Sequence, residues 1–134
     1  ETIQQTGYQI PLFVKISPDL ADEQYHILMK IFHETGVKAV IATNTLAQPT
    51  PDNASNMAGI GGGRLHQVAL SAAIRLQQEK IQHGYTVDVI GCGGVIDAAD
   101  YVRYKAHGIQ MVQYWSGLVY RGPLAATLIE SEIY

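Results

Sequence analysis

The sequence contains a single cysteine, Cys92, among its 134 residues. One cysteine excludes a disulfide framework within the chain and a metal cluster built from cysteines, and it fits a reducing compartment. The apolar runs are no longer than a strand, far short of the roughly 20 residues that cross a bilayer as a helix. We therefore expect a fold without cross-links and without a membrane span.

An excess of positive charge is also lacking. Nine lysines and arginines stand against 12 acidic residues, which gives a net charge of −3 with the five histidines neutral. Because nucleic acids and anionic membranes select basic surfaces, this balance predicts no nucleic-acid partner. Apolar residues make up 47% of the chain and charged residues 16%, which indicates one well-folded domain over residues 1–134 and excludes disorder.

A repeated pattern of β-rich run, helical stretch and helix-ending glycine fills the chain. The β-rich runs are 12–17, 39–43, 87–91 and 110–115, and helices are predicted near 20–35, 65–83, 97–107 and 123–133. Gly36, Gly84 and Gly108 each follow a predicted helix, at the position where a left-handed residue ends many helices. Apolar strands separated by helices predict a parallel sheet covered by helices. Residues 44–63 are interpreted as a long loop.

Two architectures fit this pattern: a small open α/β sheet and half of an eight-stranded β/α barrel. In both, ligands bind at the C-terminal ends of the parallel strands. Polar or glycine residues stand at the end of every predicted strand: Lys15, then Thr43, Asn44 and Thr45, then Gly93 and Gly94, then Ser116. Composition alone leaves the choice between the two architectures open.

Two glycine-rich turns, AGIGGGRL at 58–65 and VIGCGGVIDAAD at 89–100, each lead into a predicted helix. Backbone N–H groups in such turns can surround a phosphate. Asp97 is a predicted N-cap that occupies the first free N–H groups of its helix, so we expect the amides of Gly93 and Gly94 to hold any phosphate. Lys15, in LFVKISPDL, either extends to solvent or faces an anionic ligand.

Other candidate residues indicate no further site. His26 and His33 lie seven residues apart on one predicted helix and share a face, but no third metal ligand accompanies them. We interpret that face as solvated and predict no metal site. Cys92 is interpreted as a small packing residue. The spacing reveals no Ser-His-Asp set and no pair of carboxylates for catalysis.

Five motifs taken in order are specific: VKISPDL, IATNT, GIGGGRL, VIGCGGV and VQYWSGLVYRGP. Over residues 11–128 they resemble the C-terminal half of the dihydroorotate dehydrogenases, which are FMN-dependent β/α barrels. The resemblance implies strands five to eight of a TIM-type (β/α)8 barrel. It also implies oxidation of dihydroorotate to orotate in pyrimidine (UMP) biosynthesis. Hydride would pass from carbon 6 to FMN, and a base would take the proton from carbon 5.

The resemblance assigns roles to individual residues. Lys15 matches a strand-five lysine beside the flavin, where a cation stabilises the anionic reduced ring. Asn44 and Thr45 match the pair that hydrogen-bonds the pyrimidine, and an amide suits its urea-like edge because it both donates and accepts. The other implied FMN contacts are Thr43, Gly62, Gly94, Trp115 and Ser116.

The sequence departs from the family pattern in three respects. Trp115 stands where the family usually has tyrosine. The glycines of GIGGGRL resemble the cytosolic, fumarate-using class, whereas VKISPDL and YRGP favour the membrane-associated, quinone-using class, towards which the sequence leans. No residue matches the catalytic serine or cysteine, which we expect on an N-terminal half outside these 134 residues, so this chain alone is expected to be inactive.

These implications leave several alternatives. The electron acceptor is quinone or fumarate, and the location is cytoplasmic or peripheral on the inner face of the cytoplasmic membrane. The chain could instead belong to another FMN barrel oxidoreductase acting on a pyrimidine-like ring, or be a non-catalytic flavin-binding fragment. Because half a barrel leaves sheet edges unpaired, the expected protein partner is the N-terminal half or a second copy of the chain.

Overall fold

A parallel four-stranded sheet forms the centre of the computed structural model, which describes residues 10–133. Its strands are β1 (Phe13–Ile16), β2 (Ala39–Ala42), β5 (Asp88–Cys92) and β6 (Met111–Gln113). They lie in the order β1-β2-β5-β6, and every neighbouring pair is parallel. The predicted α/β class is confirmed. The ends of the predicted domain, residues 1–9 and 134, lie outside the described residues.

Within residues 10–133, five α-helices connect and flank these strands. They are α1 (Asp22–Thr35), α2 (His66–His83), α3 (Ala98–Ala106), α4 (Ser116–Arg121) and α5 (Ala125–Ser131). Gly36, Gly84 and Gly108 have positive φ after their helices, as predicted. The carboxylate of Asp97 accepts a hydrogen bond from Asp100 N at 3.0 Å, which confirms the predicted N-cap of α3. Across residues 10–133, none of the helices combines the length and the apolar character that crossing a membrane requires.

The core lies between one face of the sheet and the helices. Val40 and Ala42 of β2 and Val89 of β5 point into it, where they meet Met29 of α1 and Leu76 of α2. Alternate residues of a strand point to opposite faces, so every second position of β2 enters this core. The helices therefore pack against every second residue of β2, on the face that points into the core.

The opposite face of the sheet carries a small apolar cluster of its own. Ala39, Ile41 and Ile90 form it, with Cys92 packed against them. Among the described residues, no helical side chain belongs to this cluster. A doubly wound sheet has helices on both faces, whereas a β/α barrel has them only outside. The arrangement therefore matches part of a barrel wall, and the predicted fold class is confirmed.

The prediction that residues 44–63 form a long loop is wrong. It contains an antiparallel hairpin of β3 (Leu46–Pro49) and β4 (Met57–Ile60), followed by a 3₁₀ helix at Gly62–Leu65. These strands are rich in alanine, glycine and proline, which have low strand propensity, so the local sequence carries no strand signal. Pairing between the two segments supplies the backbone hydrogen bonds instead.

The last predicted strand, 110–115, is longer than the strand in the structure. Strand β6 ends at Gln113, and α4 begins at Ser116. Gly117 permits this turn, because a Cβ there would lie 2.8 Å from the Val95 carbonyl oxygen. The helix brings the hydroxyl of Ser116 back towards the strand ends.

Candidate functional site

A cavity of about 240 Å³ opens at the carboxyl ends of the four parallel strands. It is lined by all of the residues to which the resemblance assigns a ligand contact: Lys15, Thr43, Asn44, Thr45, Gly62, Gly94, Trp115 and Ser116. Parallel strands direct their carboxyl ends to one edge of the sheet, so residues distant in sequence meet there. The fold therefore brings together the complete set of predicted contacts.

Lys15 lies on the face of the sheet that the helices leave uncovered. It is the register partner of Ile41, which belongs to the cluster on that face. Its Nζ donates a hydrogen bond to the sulfur of Cys92 at 3.2 Å. A lysine ammonium has three donors and a thiol is a weak acceptor, so donor capacity remains for a ligand. Lys15 is exposed and also lines the cavity, so its ammonium is accessible to solvent and to a ligand there.

The backbone of the Thr43–Asn44 segment is fixed from both sides. Thr43 is 1% exposed, and its N–H donates to the Cys92 carbonyl at 2.6 Å. The N–H of Asn44 donates to the Ile16 carbonyl at 2.8 Å. These bonds join β2 to its neighbours β5 and β1 beyond the last paired residues. The side chain of Asn44, by contrast, is exposed where it lines the cavity.

The two glycine-rich turns contact each other beside the cavity. Gly94 has φ +68°, and a Cβ there would lie 2.5 Å from Cβ of His66 and 2.8 Å from the Gly62 carbonyl oxygen. A Cβ on Gly62 would lie 3.2 Å from the hydroxyl oxygen of Ser116. Side chains at these positions would fill the space in which the turns meet. The absence of side chains leaves a concave strip of backbone, as a phosphate site requires.

Tyr104 supports the second turn from within the core. Its side chain is fully buried, and its hydroxyl donates to the Gly93 carbonyl at 3.1 Å. Burial raises the pKa of the Tyr104 phenol, with smaller contributions from Cys92 and Asp100. The hydroxyl is consequently protonated near neutral pH and remains a donor. Neither composition nor spacing indicated this support of the turn.

His66 and Asp100 lie behind the same turn. His66 is 5% exposed, and its Nδ1 lies 3.6 Å from Oδ1 of Asp100. The other carboxylate oxygen of Asp100 accepts a hydrogen bond from Ile96 N at 3.0 Å. Among the described residues neither ring nitrogen of His66 has a hydrogen-bond partner, so the beginnings of α2 and α3 lie close together beneath the glycines without a hydrogen bond between these two side chains.

Several cavity residues were not anticipated as site residues, among them Cys92, Gln113 and Tyr114. Cys92 packs against the uncovered-face cluster, as the packing interpretation expects, and it also lines the cavity. Gln113 is its register partner on β6. Alternation along β5 places Cys92 on the same face as Ile90, which is the sequence signal that could have identified it.

His26 and His33 lie on the outer side of α1 and do not line this cavity. Nδ1 of His26 lies 2.9 Å from Oε2 of Glu79, and Nδ1 of His33 lies 3.2 Å from the hydroxyl oxygen of Thr86. The two partner residues, Glu79 and Thr86, come later in the sequence than the first glycine turn, 58–65, part of which lines the cavity. The two histidines therefore contribute nothing to the site at the strand ends.

The arrangement combines three kinds of recognition in one cavity. Lys15 supplies a positive charge, Asn44 supplies a donor and an acceptor, and the glycine turns supply a concave backbone. A polar ring attached to a phosphate is the kind of ligand that uses all three. The volume is slightly below the roughly 300–1,000 Å³ typical of small-molecule sites, so further walls would be needed to enclose such a ligand.

Comparison with known proteins shows that the sequence is similar to dihydroorotate dehydrogenases. A family model described as dihydroorotate dehydrogenase matches residues 2–134. A dihydroorotate dehydrogenase (quinone) of Bordetella avium is 38% identical over 128 residues, which are 92% of this chain and 36% of that protein. One of Thiobacillus denitrificans with the same name is 35% identical over 128 residues, 92% of this chain and 37% of that protein.

Solved structures give the same result. Crystal structures of DHODH from Eimeria tenella, one in complex with ferulenol and one ligand-free, superpose with a TM-score of 0.79 at 28% identity. The match to the ferulenol complex covers 96% of this chain and 34% of that one. The chain thus spans about a third of the length of the relatives it matches.

Proposed function

This chain belongs to the dihydroorotate dehydrogenase family, and on that premise we propose that it forms the FMN- and pyrimidine-binding part of an enzyme that oxidises dihydroorotate to orotate. The supporting observation is that one cavity at the strand ends collects all the residues to which the resemblance assigns a ligand contact. The family is generally flavin-dependent, and a bound flavin supplies the hydride acceptor. The residues of this chain would bind and orient the flavin and the pyrimidine and would stabilise the charge that develops on the flavin.

The glycine turns fit a phosphate. Their backbones meet at Gly62 and Gly94 without intervening side chains, and the Ser116 hydroxyl lies beside Gly62. The carboxylate of Asp97 does not compete with a phosphate for the amides of the glycine turns, because it accepts a hydrogen bond from Asp100 N as the cap of α3. We assign the phosphate of FMN to these turns, with Trp115 and Ser116 at its edge.

Lys15 is assigned to the ring of the cofactor. Its ammonium lies in the cavity on the uncovered face of the sheet, beside the sulfur of Cys92. A fixed cation stabilises negative charge that develops during reduction, and the stabilisation is greatest where water is excluded. Thr43 also lines the cavity, and we assign it to the remaining cofactor contact.

Asn44 and Thr45 are assigned to the pyrimidine. The amide of Asn44 can donate to one carbonyl and accept from one ring N–H, which matches the alternating edge of dihydroorotate. A hydrogen bond from its N–H to the Ile16 carbonyl on β1 holds the backbone of Asn44 in place. A site built in this way rejects rings that lack these groups, since its own polar groups would stay unpaired.

The proton at carbon 5 requires a base, which we assign to a part of the enzyme outside these residues. The named relatives are quinone enzymes, and we propose quinone as the electron acceptor here too. A peripheral location on the inner face of the cytoplasmic membrane accords with that acceptor. The cavity would be closed by elements that continue the sheet beyond β1 and β6.

The proposal is tested with the purified protein that contains this chain. A flavin absorption band, and its bleaching by dihydroorotate under anaerobic conditions, are the expected results. Dihydrouracil, which lacks the carboxylate, should bleach the band far more slowly. A colourless protein would contradict FMN binding, and a stable yellow protein that dihydroorotate does not bleach would be a flavin-binding module without this activity. Equal bleaching by both rings would favour another pyrimidine oxidoreductase.

A further inference from the structure

Three metal-ligating side chains cluster on the outer layer of helices, away from the cavity. His26 belongs to α1, and Glu79 and His83 belong to α2. One ligand atom from each lies within 4.8 Å of the others. We propose that this cluster is a binding site for a divalent first-row transition metal ion, with Zn²⁺ as the probe. The proposal is independent of the function proposed for the cavity.

The distances fit a tetrahedral ion. Nδ1 of His26 lies 2.9 Å from Oε2 of Glu79, and Nε2 of His83 lies 3.4 Å from the same oxygen. Ligand atoms at about 2.0–2.1 Å from a tetrahedral zinc ion are roughly 3.3 Å apart from each other. The two measured distances lie on either side of that value. Small rotations of the side chains would therefore admit an ion without movement of the helices.

The fold brings the third ligand from a different helix. Glu79 and His83 are four residues apart on α2 and so lie on the same face. His26 reaches them because α1 packs against α2, and an ion pair between Asp22 and Arg75 joins the same two helices. From the sequence, the two histidines of α1 share a face without a third ligand, so no metal site is predicted there. The packing of α1 against α2 places two further ligands, Glu79 and His83, beside His26.

The orientation of the rings is restricted. The ring of His83 stacks on that of Tyr85 with centroids 5.3 Å apart and planes at 22°. The rings of His26 and His83 lie 5.0 Å apart at 57°, so their nitrogens converge without parallel stacking. Packing that limits ring rotation reduces the cost of ordering a ligand when the ion binds.

The donor set and its exposure agree with ion binding. Two imidazoles and one carboxylate form a ligand set of known zinc sites, in which water takes the fourth position. The side chains of His26, Glu79 and His83 are 48%, 23% and 33% exposed, so an ion can enter from solvent and keep a water ligand. Imidazole nitrogens also favour zinc and copper over calcium and magnesium.

The position indicates a structural role for the ion. Leu65 lines the cavity, and Glu79 lies 14 residues further along the chain, or roughly 20 Å at about 1.5 Å per residue. An ion at that distance contacts neither the cofactor nor the pyrimidine assigned to the cavity. It would cross-link α1 to α2 and stabilise the helical layer through its binding energy.

The experiment is a calorimetric titration of Zn²⁺ into the chelator-treated protein. One equivalent should bind, and each of His26→Ala, His83→Ala and Glu79→Gln should weaken binding by at least about tenfold, since even changes to groups behind the ligands cost roughly 10–100-fold. His107→Ala is the matched control, because His107 is an exposed histidine that follows α3 and does not belong to the cluster. It should bind Zn²⁺ as the unchanged protein does.

A second measurement separates loss of the site from loss of the fold. Zn²⁺ should raise the melting temperature of the unchanged protein and of His107→Ala but not of Glu79→Gln, whose circular dichroism without metal should be normal. Glu79→Gln keeps the size and the hydrogen-bonding oxygen of the side chain. The proposal is overturned if the unchanged protein binds no Zn²⁺ at micromolar concentrations, or if the three ligand variants bind it equally well. The three residues would then form only an ion-paired cluster.

Discussion

At the scale of single residues, the cavity combines side chains of opposite character. Thr43 is buried and bonded to its neighbours, whereas Asn44, the next residue, presents an exposed amide to the cavity. The backbone N–H of Thr43 donates to the Cys92 carbonyl and that of Asn44 donates to the Ile16 carbonyl, so the backbone of both residues is held by neighbouring strands. A change to the Asn44 side chain should therefore alter recognition and leave the fold intact.

Asn44→Ala should weaken orotate binding by about 1–3 kcal/mol, the usual cost of leaving a buried polar partner unpaired. Flavin content should stay near normal, because the proposed cofactor contacts are other residues. Orotate titration of the flavin spectrum in the complete enzyme measures the effect. Asn56→Ala, at the exposed end of the hairpin, is the control and should bind orotate normally. Loss of flavin before loss of orotate affinity would show that Asn44 contacts the cofactor instead.

Tyr104→Phe should lower stability near neutral pH by about 1 kcal/mol, because the hydrogen bond to the Gly93 carbonyl is lost. Burial raises the pKa of the Tyr104 phenol in the folded state. Above about pH 10 an unfolded tyrosine loses its proton first, so the unfolded state binds fewer protons and the free energy of unfolding falls as pH rises.

The difference in stability between the unchanged protein and Tyr104→Phe should therefore narrow at alkaline pH. Urea unfolding at a series of pH values from neutral to alkaline measures this. Tyr120→Phe is the control, because that side chain is 79% exposed and should leave the curve unchanged. A constant difference across the series would mean that Tyr104 ionises no later in the folded state than in the unfolded one.

At the scale of elements, the junction of β5 and α3 depends on close approach. A Cβ on Gly91 would lie 2.5 Å from a ring carbon of Tyr104, and a Cβ on Gly94 would lie 2.5 Å from Cβ of His66. A side chain on Gly91 would therefore meet Tyr104 of α3, and one on Gly94 would meet His66 at the start of α2. The second glycine turn is thus required for packing as well as for the proposed phosphate contact.

Gly94→Ala should lower stability by about 1–3 kcal/mol, the cost of overpacking, and should also reduce FMN affinity because the turn must shift. Gly63→Ala is the matched control in the neighbouring turn, where a Cβ meets nothing within 4 Å. Thermal unfolding and flavin titration of both variants separate the two effects. Normal flavin affinity in a folded Gly94→Ala variant, or in Gly94→Val, would remove the turn from the proposed site.

At the scale of the whole molecule, the sheet ends in two edges. Strands β1 and β6 each pair on one side only among the described residues. Phe13 on β1 and Met111 on β6 are 49% and 51% exposed. A larger cavity of about 530 Å³ lies along β6, lined by apolar side chains such as Met111 and Ile133. Its lining also includes Lys105 and Glu130 but none of the residues to which the resemblance assigns a ligand contact, so we interpret it as uncovered edge surface.

The isolated 134-residue chain should associate, either with a second copy or with a separately expressed N-terminal half. Exposed apolar surface costs about 25 cal/mol per Å², so a few hundred Å² amounts to several kcal/mol, comparable to the stability of a domain. Analytical ultracentrifugation at low micromolar concentration measures the association. A single, cooperatively melting monomer would refute this prediction.

Substitutions at the edges test whether they carry the association. Phe13→Lys and Met111→Lys place charge on the two edge strands and should shift the chain towards monomer. Ile81→Lys is the control, because Ile81 is 71% exposed on α2, away from both edges. Equal association in all variants would locate the contact elsewhere.

The four parallel strands and the helices between them could be predicted from the sequence. Apolar runs such as 39–43 and the helix-ending Gly36 and Gly84 are local signals, because burial on both faces and left-handed caps restrict the residue types at those positions. The ordered motifs identified the family, which the relatives confirm. The hairpin at 46–60 escaped prediction since its alanines, glycines and prolines carry no local strand preference.

Which residues meet was decided by the tertiary structure. The sequence determined that Lys15, Asn44, Gly94 and Ser116 stand at strand ends, and the parallel sheet with helices on one face turned those positions into one cavity. It could not place His26 beside Glu79, because that contact arises from packing between two helices. Local patterns record the demands of a single element, whereas contacts between elements depend on rotations and offsets that no single segment encodes.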